Sequence, residues 1–376
     1  MAEFEGKNWE EFKTLLPQHR YPYSKKNWGN KNHSLCSYQG KLKPSIAHFL
    51  VKAFVPEGGI VFDPFAGVGT IPFEAALNGR KAYGMDISLM AYYVSSAKLG
   101  RSDVKEVREY IGKLADYIEN HTLNDDEVKQ YSQFGLNKKL GDYYEPRTFR
   151  EILLARKFFK LNKPTTPSEM VVIASLLHIL HGNRPYALSR RSHPIVPYAP
   201  SGDFVYKNLV EKLQEKVGRF FKEPMPRQFV SGKMFLQDST KKWPDEIDGL
   251  DSIITSPPFF DSTRFYVSNW IRLWFSGWEP SDFSIKPQSF VDERQKSTLN
   301  VYLPIFEQGR ERLKSSGTFV LHLGRSKKCD MGIELRRLSK RWFPHSELFV
   351  ENVEQCAKFG IKDLGTVTDH EYLVLW

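Results

Sequence analysis

Three clusters of residues along this chain have the types and spacing that group-transfer chemistry requires. The loop Asp63-Pro64-Phe65-Ala66-Gly67-Val68-Gly69-Thr70 follows the apolar run Ile60-Val61-Phe62. Its glycines carry no side chain, so the backbone can close on a ligand at the carboxyl end of a strand. A dinucleotide fingerprint would place a third glycine at position 72, which holds Pro72, and a phosphate loop would need Gly-Lys-Ser/Thr, which is absent. The second cluster is one acid, Asp86, which closes Lys81-Ala82-Tyr83-Gly84-Met85. A carboxylate there can accept both hydroxyls of a ribose, or it can cap a helix beginning at Ser88-Leu89-Met90. The third is Thr255-Ser256-Pro257-Pro258-Phe259-Phe260, after Ser252-Ile253-Ile254. Consecutive prolines withhold amide donors and stiffen the turn, so the Ser256 hydroxyl and nearby carbonyls project as acceptors. Acceptors beside an aromatic ring suit a planar substrate with an exocyclic amine, with Phe259 stacked on it. The alternative is a proline turn whose aromatics fill the core.

These clusters need elements to hold them. Strand, glycine loop, the helix-like Ile71-Pro72-Phe73-Glu74-Ala75-Ala76-Leu77, strand and acid make one βαβ unit of a parallel sheet. A second strand-rich block starts at Lys233-Met234-Phe235-Leu236 and continues through residues 251–258, 318–324 and 370–376. Short β-branched or aromatic runs separated by helical-length spacers predict an α/β fold with a doubly wound, mostly parallel sheet and an antiparallel edge strand at the C-terminus. Residues 101–231 read differently. Asp103 and Glu106 have capping-box spacing, Val104, Val107, Ile111, Leu114 and Ile118 recur at helical intervals, and residues 149–159 and 170–180 are helix-like. The chain therefore divides into 1–100, the first part of the α/β domain; 101–231, a mainly helical insertion; and 232–376, the second part.

Composition narrows the class. The 376 residues are 41% hydrophobic and 14% aromatic, enough for a sizeable core and too apolar for a disordered chain. No run approaches the roughly 18 apolar residues of a membrane span, and the start, MAEFEGKNWEEFK, lacks signal-peptide layout, so a cytoplasmic protein without a membrane partner is expected. Cys36, Cys329 and Cys356 form no CxxC pair, which argues against a disulfide framework or a thiolate zinc site. His178 and His181 lie on an apolar helix and read as buried histidines, so no metal is expected. The formal charge is +10, and residues 184–242, with twelve Lys/Arg and five Asp/Glu, hold +7 of it. That asymmetry points to a polyanionic partner. Within this stretch, residues 189–203 have prolines at 194, 197 and 200 and no apolar periodicity, and so form a stiff loop.

Taken in order, the three clusters resemble the S-adenosylmethionine-dependent DNA methyltransferases that modify exocyclic amino groups. Asp63 to Thr70 resembles their methionine-binding loop, Asp86 their ribose acid, and Ser256-Pro257-Pro258-Phe259 their catalytic turn. Three further segments are similar: His33 to Lys41, with Tyr38 and Lys41, which would cover the methionine end of the cofactor; Phe235-Leu236-Gln237-Asp238, whose acid would reach the cofactor's adenine amine; and residues 369–375, the closing strand. The resemblance covers roughly residues 30–100 and 232–376.

It implies a Rossmann-like methyltransferase fold, S-adenosyl-L-methionine as cofactor, double-stranded DNA as partner and a flipped-out target base. In the family, Ser-Pro-Pro usually accompanies cytosine N4 and Asp- or Asn-Pro-Pro usually accompanies adenine N6. Ser256 thus favours an N4-methylcytosine product, with adenine N6 as the alternative. The chain departs from the commoner pattern at Phe259, where tyrosine is usual, which leaves a stacking ring and removes a hydroxyl. A cytosine-C5 enzyme would need a Pro-Cys nucleophile, which is absent. The insertion occupies the place of a target-recognition region, with Arg184, Arg190, Arg191 and His193 as candidate DNA contacts and Arg264 or Arg272 on a phosphate, while Trp270, Leu273 and Trp274 read as a packed helix. An RNA amino-methyltransferase and a catalytically silent DNA-binding protein are the rival classes. A cognate restriction endonuclease is compatible with this reading, as is a solitary enzyme, and oligomeric state is not written in the sequence.

Overall fold

The computed structural model describes residues 7–25, 28–36, 40–193, 198–260, 264–352 and 367–376. Seven strands, β1 (Ile60–Asp63), β2 (Lys81–Asp86), β3 (Lys233–Leu236), β4 (Leu250–Thr255), β5 (Leu313–Ser326), β6 (Ser346–Asn352) and β7 (Val367–Leu375), form one sheet in the order β3-β2-β1-β4-β5-β7-β6. The first five are parallel to one another, and β7 runs antiparallel to both β5 and β6. The α/β expectation holds, with one correction. The C-terminal strand is antiparallel but lies inside the sheet, because β6, which alternates weakly and escaped the sequence reading, takes the edge.

Chain order reverses between β1 and β4, where Val61 pairs with Ser252 and Phe62 with Ile253. On either side of such a reversal the connections leave in opposite directions, and a crevice opens at the carboxyl ends of the strands. The glycine loop and the Pro-Pro turn are the two connections that leave here.

Among the described residues the α-helices α1 (Lys7–Leu15), α2 (Pro44–Phe54), α3 (Thr70–Leu77), α4 (Leu89–Leu99), α5 (Val104–Asn120), α6 (Asp125–Ser132), α7 (Leu140–Tyr143), α8 (Pro146–Leu161), α9 (Pro167–Ile179) and α10 (Leu209–Phe221) precede β3. One sheet face is covered by Trp9 and Phe12 of α1 with Leu50 and Val51 of α2, packed on Val61, Ile254, Val320 and Tyr372. The opposite face carries Phe62, Ile253, Phe319 and Leu373 against Trp243, Ile305, Phe306 and Leu335. Helices α5 to α10 make up the predicted insertion. Asp103 caps α5 through the amides of Lys105 and Glu106, and Val107, Ile111 and Leu114 turn inward. Glu106 does not close a capping box but accepts from the Ser168 hydroxyl on α9 at 2.7 Å. The insertion has no core of its own: Val94 and Ala97 of α4 pack in one cluster with Leu153, Leu176 and Leu213 and with Trp270, Leu273 and Trp274. Among the described residues no helix is long and apolar enough to cross a membrane.

After β4 come the short helices α11 (Phe265–Ser268) and α12 (Trp270–Phe275). The aromatic run of α12 is buried, as the packed-helix reading has it, but the phosphate role considered for Arg272 is overturned. Its side chain is 1% exposed, with Nε donating to the Leu177 carbonyl at 3.1 Å and Nη1 to Asn269 Oδ1 at 3.0 Å. A cation so enclosed ties α12 to the C-terminal end of α9 and cannot meet DNA. Arg272→Met should therefore destabilise the fold by about 2–3 kcal/mol, because two buried acceptors lose their donor. Urea unfolding measures that loss.

Candidate active site

The glycine loop is pinned by two acids. Asp63, 2% exposed, accepts from the Phe65 amide at 3.0 Å and from the Thr255 hydroxyl at 2.6 Å. Asp86 accepts from the Gly67 amide at 2.9 Å and from the Ser88 amide at 2.8 Å. Helix α4 is capped by Ser88, whose side chain takes the Ala91 amide. Asp86 thus keeps its second lone pairs, of the four a carboxylate offers, for a ligand. Gly67 and Gly69 have φ of +52° and +69°, in the left-handed region. A Cβ on Gly69 would stand 2.8 Å from Ser95 Oγ, the hydroxyl that holds the Gly67 carbonyl at 2.7 Å. Desolvation raises both acids, Asp63 to about 7 and Asp86 to about 6, against the hydrogen bonds that favour their charged forms.

The Pro-Pro turn lies beside this loop. Ser256 shares one cleft with Asp63, Phe65, Ala66, Thr70 and Lys41. Its hydroxyl is 3.0 Å from Nδ1 of His322, a buried residue of β5. The turn is held from behind by the buried amide of Gln295, whose Nε2 donates to the Pro258 carbonyl at 3.0 Å and, more weakly, to that of Phe259 at 3.3 Å. Tyr302 fixes this amide by donating to Gln295 Oε1 at 2.8 Å. The Pro257 carbonyl has no such partner among the described residues. Phe259 lies against the bare backbone of Gly324, where a Cβ would overlap its ring, with the His322 and His370 rings 5.5 and 6.0 Å away.

The remaining sequence-predicted residues distribute as follows. Pro64, Gly67 and Gly69 shape the loop through their backbone. Lys41 lines the cleft and donates to the His33 carbonyl at 3.0 Å. His33 itself is buried on Glu74 of α3 at 2.6 Å, and Glu74 also holds His48 at 3.1 Å, so the two imidazoles pull the Glu74 carboxyl down to about 2 despite its burial. That network anchors the segment predicted to cover the cofactor, and Tyr38 lies outside the described residues. Asp238 follows β3, where the Gln237 amide donates to the Asp86 carbonyl at 3.0 Å. Its carboxylate takes the Thr240 amide and hydroxyl and faces Arg294 at 3.6 Å.

The basic loop corrects one more expectation. Arg190 donates to the carbonyls of Gly202 at 2.8 Å and Asp142 at 2.9 Å and stacks over Phe204 at 4.2 Å. It holds the loop together, so its charge is already engaged. Arg184 and Arg191 are exposed, His193 is half-buried beside the Tyr198 ring at 5.4 Å, and exposed Arg264 pairs with Glu293 at 3.2 Å. His181 is buried and His178 partly buried, desolvation keeps both neutral, and no group of three potential metal ligands occurs among the described residues.

Residues 5–98 match the family model N6_N4_Mtase, described as DNA methylase. The Type II methyltransferase M.MjaII of Methanocaldococcus jannaschii is 28% identical over 99 residues, 25% of this chain and 18% of that protein. The chain thus spans less than a fifth of the length of this curated relative. Solved structures similar in outline include a TehB-like SAM-dependent methyltransferase from Corynebacterium glutamicum, with 8% identity, 88% of this chain and 85% of that one covered, and a TM-score of 0.33. An rRNA methylase from Streptococcus thermophilus has 9% identity, with 89% and 97% covered and a TM-score of 0.34. The sequence matches support the amino-group DNA methyltransferase family and S-adenosylmethionine as cofactor; the fold rests on the sheet order itself.

The raised Asp63 has a measurable consequence in the ligand-free protein. Its carboxyl ionises near 3.8 when unfolded and at about 7 when folded. Between those values the folded state keeps a proton that the unfolded state has lost. Stability therefore falls as pH rises from about 4 to 7, by up to ~1.4 kcal/mol per pH unit, and levels above that. Asp63→Asn keeps an acceptor for Thr255 and removes the titration. Urea unfolding at pH 5.0 and 7.5 should show a smaller loss for the variant than for the parent; equal losses would refute the shift.

Proposed function

We propose that this protein is an S-adenosylmethionine-dependent DNA methyltransferase acting on the exocyclic N4 amine of a flipped-out cytosine. The observation that carries the reading is the shared cleft: Thr255 binds Asp63 across the strand reversal, and the next residue, Ser256, opens into the space lined by Asp63, Phe65 and Lys41. Cofactor loop and acceptor turn are thereby contiguous.

The residues present fit the cofactor. Asp86 has spare lone pairs for a ribose diol, glycine backbone leaves room beside it, and Asp63 offers an acid in the cleft. When bound, S-adenosylmethionine supplies an activated methyl group on a sulfonium. A cytosine amine is a poor nucleophile because its lone pair is delocalised into the ring. The Ser256 hydroxyl and the Pro257 carbonyl accept its two N–H bonds, which favours a pyramidal nitrogen and turns the lone pair outward. Stiff prolines and the Gln295 clamp hold both acceptors in place beforehand, so the contribution is one of positioning and electrostatics. The half-buried Phe259 ring offers an aromatic surface for stacking. A target base leaves the duplex to reach this cleft, at a cost of a few kcal/mol. Exposed Arg184 and Arg191, with half-buried His193, provide backbone or base-edge contacts from the insertion, and Arg264 provides one beside the turn.

Asp86→Ala should weaken S-adenosylmethionine binding roughly ten- to a hundredfold by calorimetry, since hydrogen bonds to a charged acceptor are worth about 1.5–3 kcal/mol. Ser256→Ala should cut turnover with cofactor affinity nearly intact. Mass spectrometry of nuclease-digested DNA decides the base: N6-methyladenine without N4-methylcytosine would reverse the base assignment and leave the enzyme class, and methylated RNA alone would replace DNA as substrate.

The same reading separates the basic residues of the insertion. Arg191→Ala should lower the salt-dependence slope of duplex binding by about 0.9, as for one phosphate contact. Arg190→Ala should instead loosen the loop, with increased proteolysis between residues 189 and 203. A slope unchanged by Arg191→Ala would move the DNA surface elsewhere.

A further inference from the structure

The Ser256 hydroxyl does not stand alone. Its neighbour His322 comes from β5, two strands away from the glycine loop and 66 residues along the chain, and the pair stands 3.0 Å apart at Nδ1. The ring is buried, 3% exposed, among the rings of His370 at 4.8 Å, Tyr372 at 5.1 Å and Phe259 at 5.5 Å, and its Nε2 has no hydrogen-bond partner. An imidazole in such surroundings stays neutral, since burial opposes its charged form. That makes it a poor proton acceptor for chemistry but a well-fixed hydrogen-bond partner.

A hydroxyl has one hydrogen and two lone pairs. Left free, the Ser256 hydrogen would compete for the substrate's lone pair or point at its N–H bonds. If the hydrogen is taken by His322, both oxygen lone pairs face the cleft, as an amine donating N–H requires. The Nε2–H that this tautomer carries would meet aromatic faces, a weak but favourable contact. We propose that His322 is a positioning residue: its Nδ1 accepts the Ser256 hydroxyl hydrogen and so makes Ser256 a pure acceptor toward the substrate amine. The inference rests on the methyltransferase reading above and names the device that sets the polarity of its turn.

Two measurements test it. Kinetics on duplex DNA compare His322→Phe, which keeps ring volume without nitrogen, with His322→Asn, whose amide reaches the place of Nδ1. The Phe variant should lose about tenfold or more in kcat, with S-adenosylmethionine affinity within about twofold of the parent, and the Asn variant should recover a large part of that loss. Parent-like turnover of the Phe variant, or an Asn variant no better than Phe when both bind cofactor, overturns the proposal. The second readout needs no activity. Nitrogen-15 NMR of the ligand-free protein should show His322 protonated at Nε2 only, with the Nδ1 resonance moving in Ser256→Ala. A proton on Nδ1, or a resonance indifferent to Ser256→Ala, overturns the pairing. A parent protein that methylates no nucleic acid would sink the methyltransferase reading, while the NMR result would still decide the hydrogen bond.

Discussion

One hydrogen bond sets the terms for the rest: Thr255 Oγ1, at the last residue of β4, donating to the buried carboxyl of Asp63 at the last residue of β1. These two strands flank the point where the order of the sheet reverses, so the connections leaving them would otherwise diverge. The bond keeps their ends together, and with them the glycine loop and the Pro-Pro turn. Its requirements explain much nearby. The pairing of Val61 with Ser252 places both ends level, the Phe65 amide satisfies the same oxygen, and Asp63 is sealed from water deeply enough that desolvation outweighs both donors.

The electrostatic character of the cleft follows from that sealing. Asp63 in its wall and Asp86, which holds the Gly67 amide of the loop, are raised toward neutrality by burial, and the histidine behind the turn is held uncharged by the same cause. An enclosed acid of this kind gains its charge most readily when a cation stands beside it.

What the sequence made legible is what is local. The glycine loop, the acid closing β2 and the Pro-Pro turn each announce themselves within a few residues, because backbone stiffness and side-chain absence act over that range. The partners that orient them come from far along the chain. Thr255 reaches Asp63 across 192 positions, and Gln295 reaches Pro258 across 37; neither has a local pattern that marks it. Arg272 misled because cations in an aromatic-rich helix look the same whether they face solvent or, as here, backbone carbonyls inside the core. Arg190 misled likewise, since a basic loop gives no sign of which guanidinium closes it. The edge strand β6, Ser346-Glu347-Leu348-Phe349-Val350-Glu351-Asn352, was missed because three of its seven residues are charged or amide side chains and most of it is only half-buried.

The shared packing of the insertion has a consequence for how such a protein can change. Helix α9 lies on α4, the helix that begins just after Asp86, and Arg272 stitches α9 to the segment following the Pro-Pro turn. A segment packed into the same core as α4 and α12 cannot be exchanged as a cassette, because its removal would strip Val94, Ala97, Trp270 and Trp274 of their cover. Change is accommodated in its exposed loops one side chain at a time, while the helices beneath them are held by their packing.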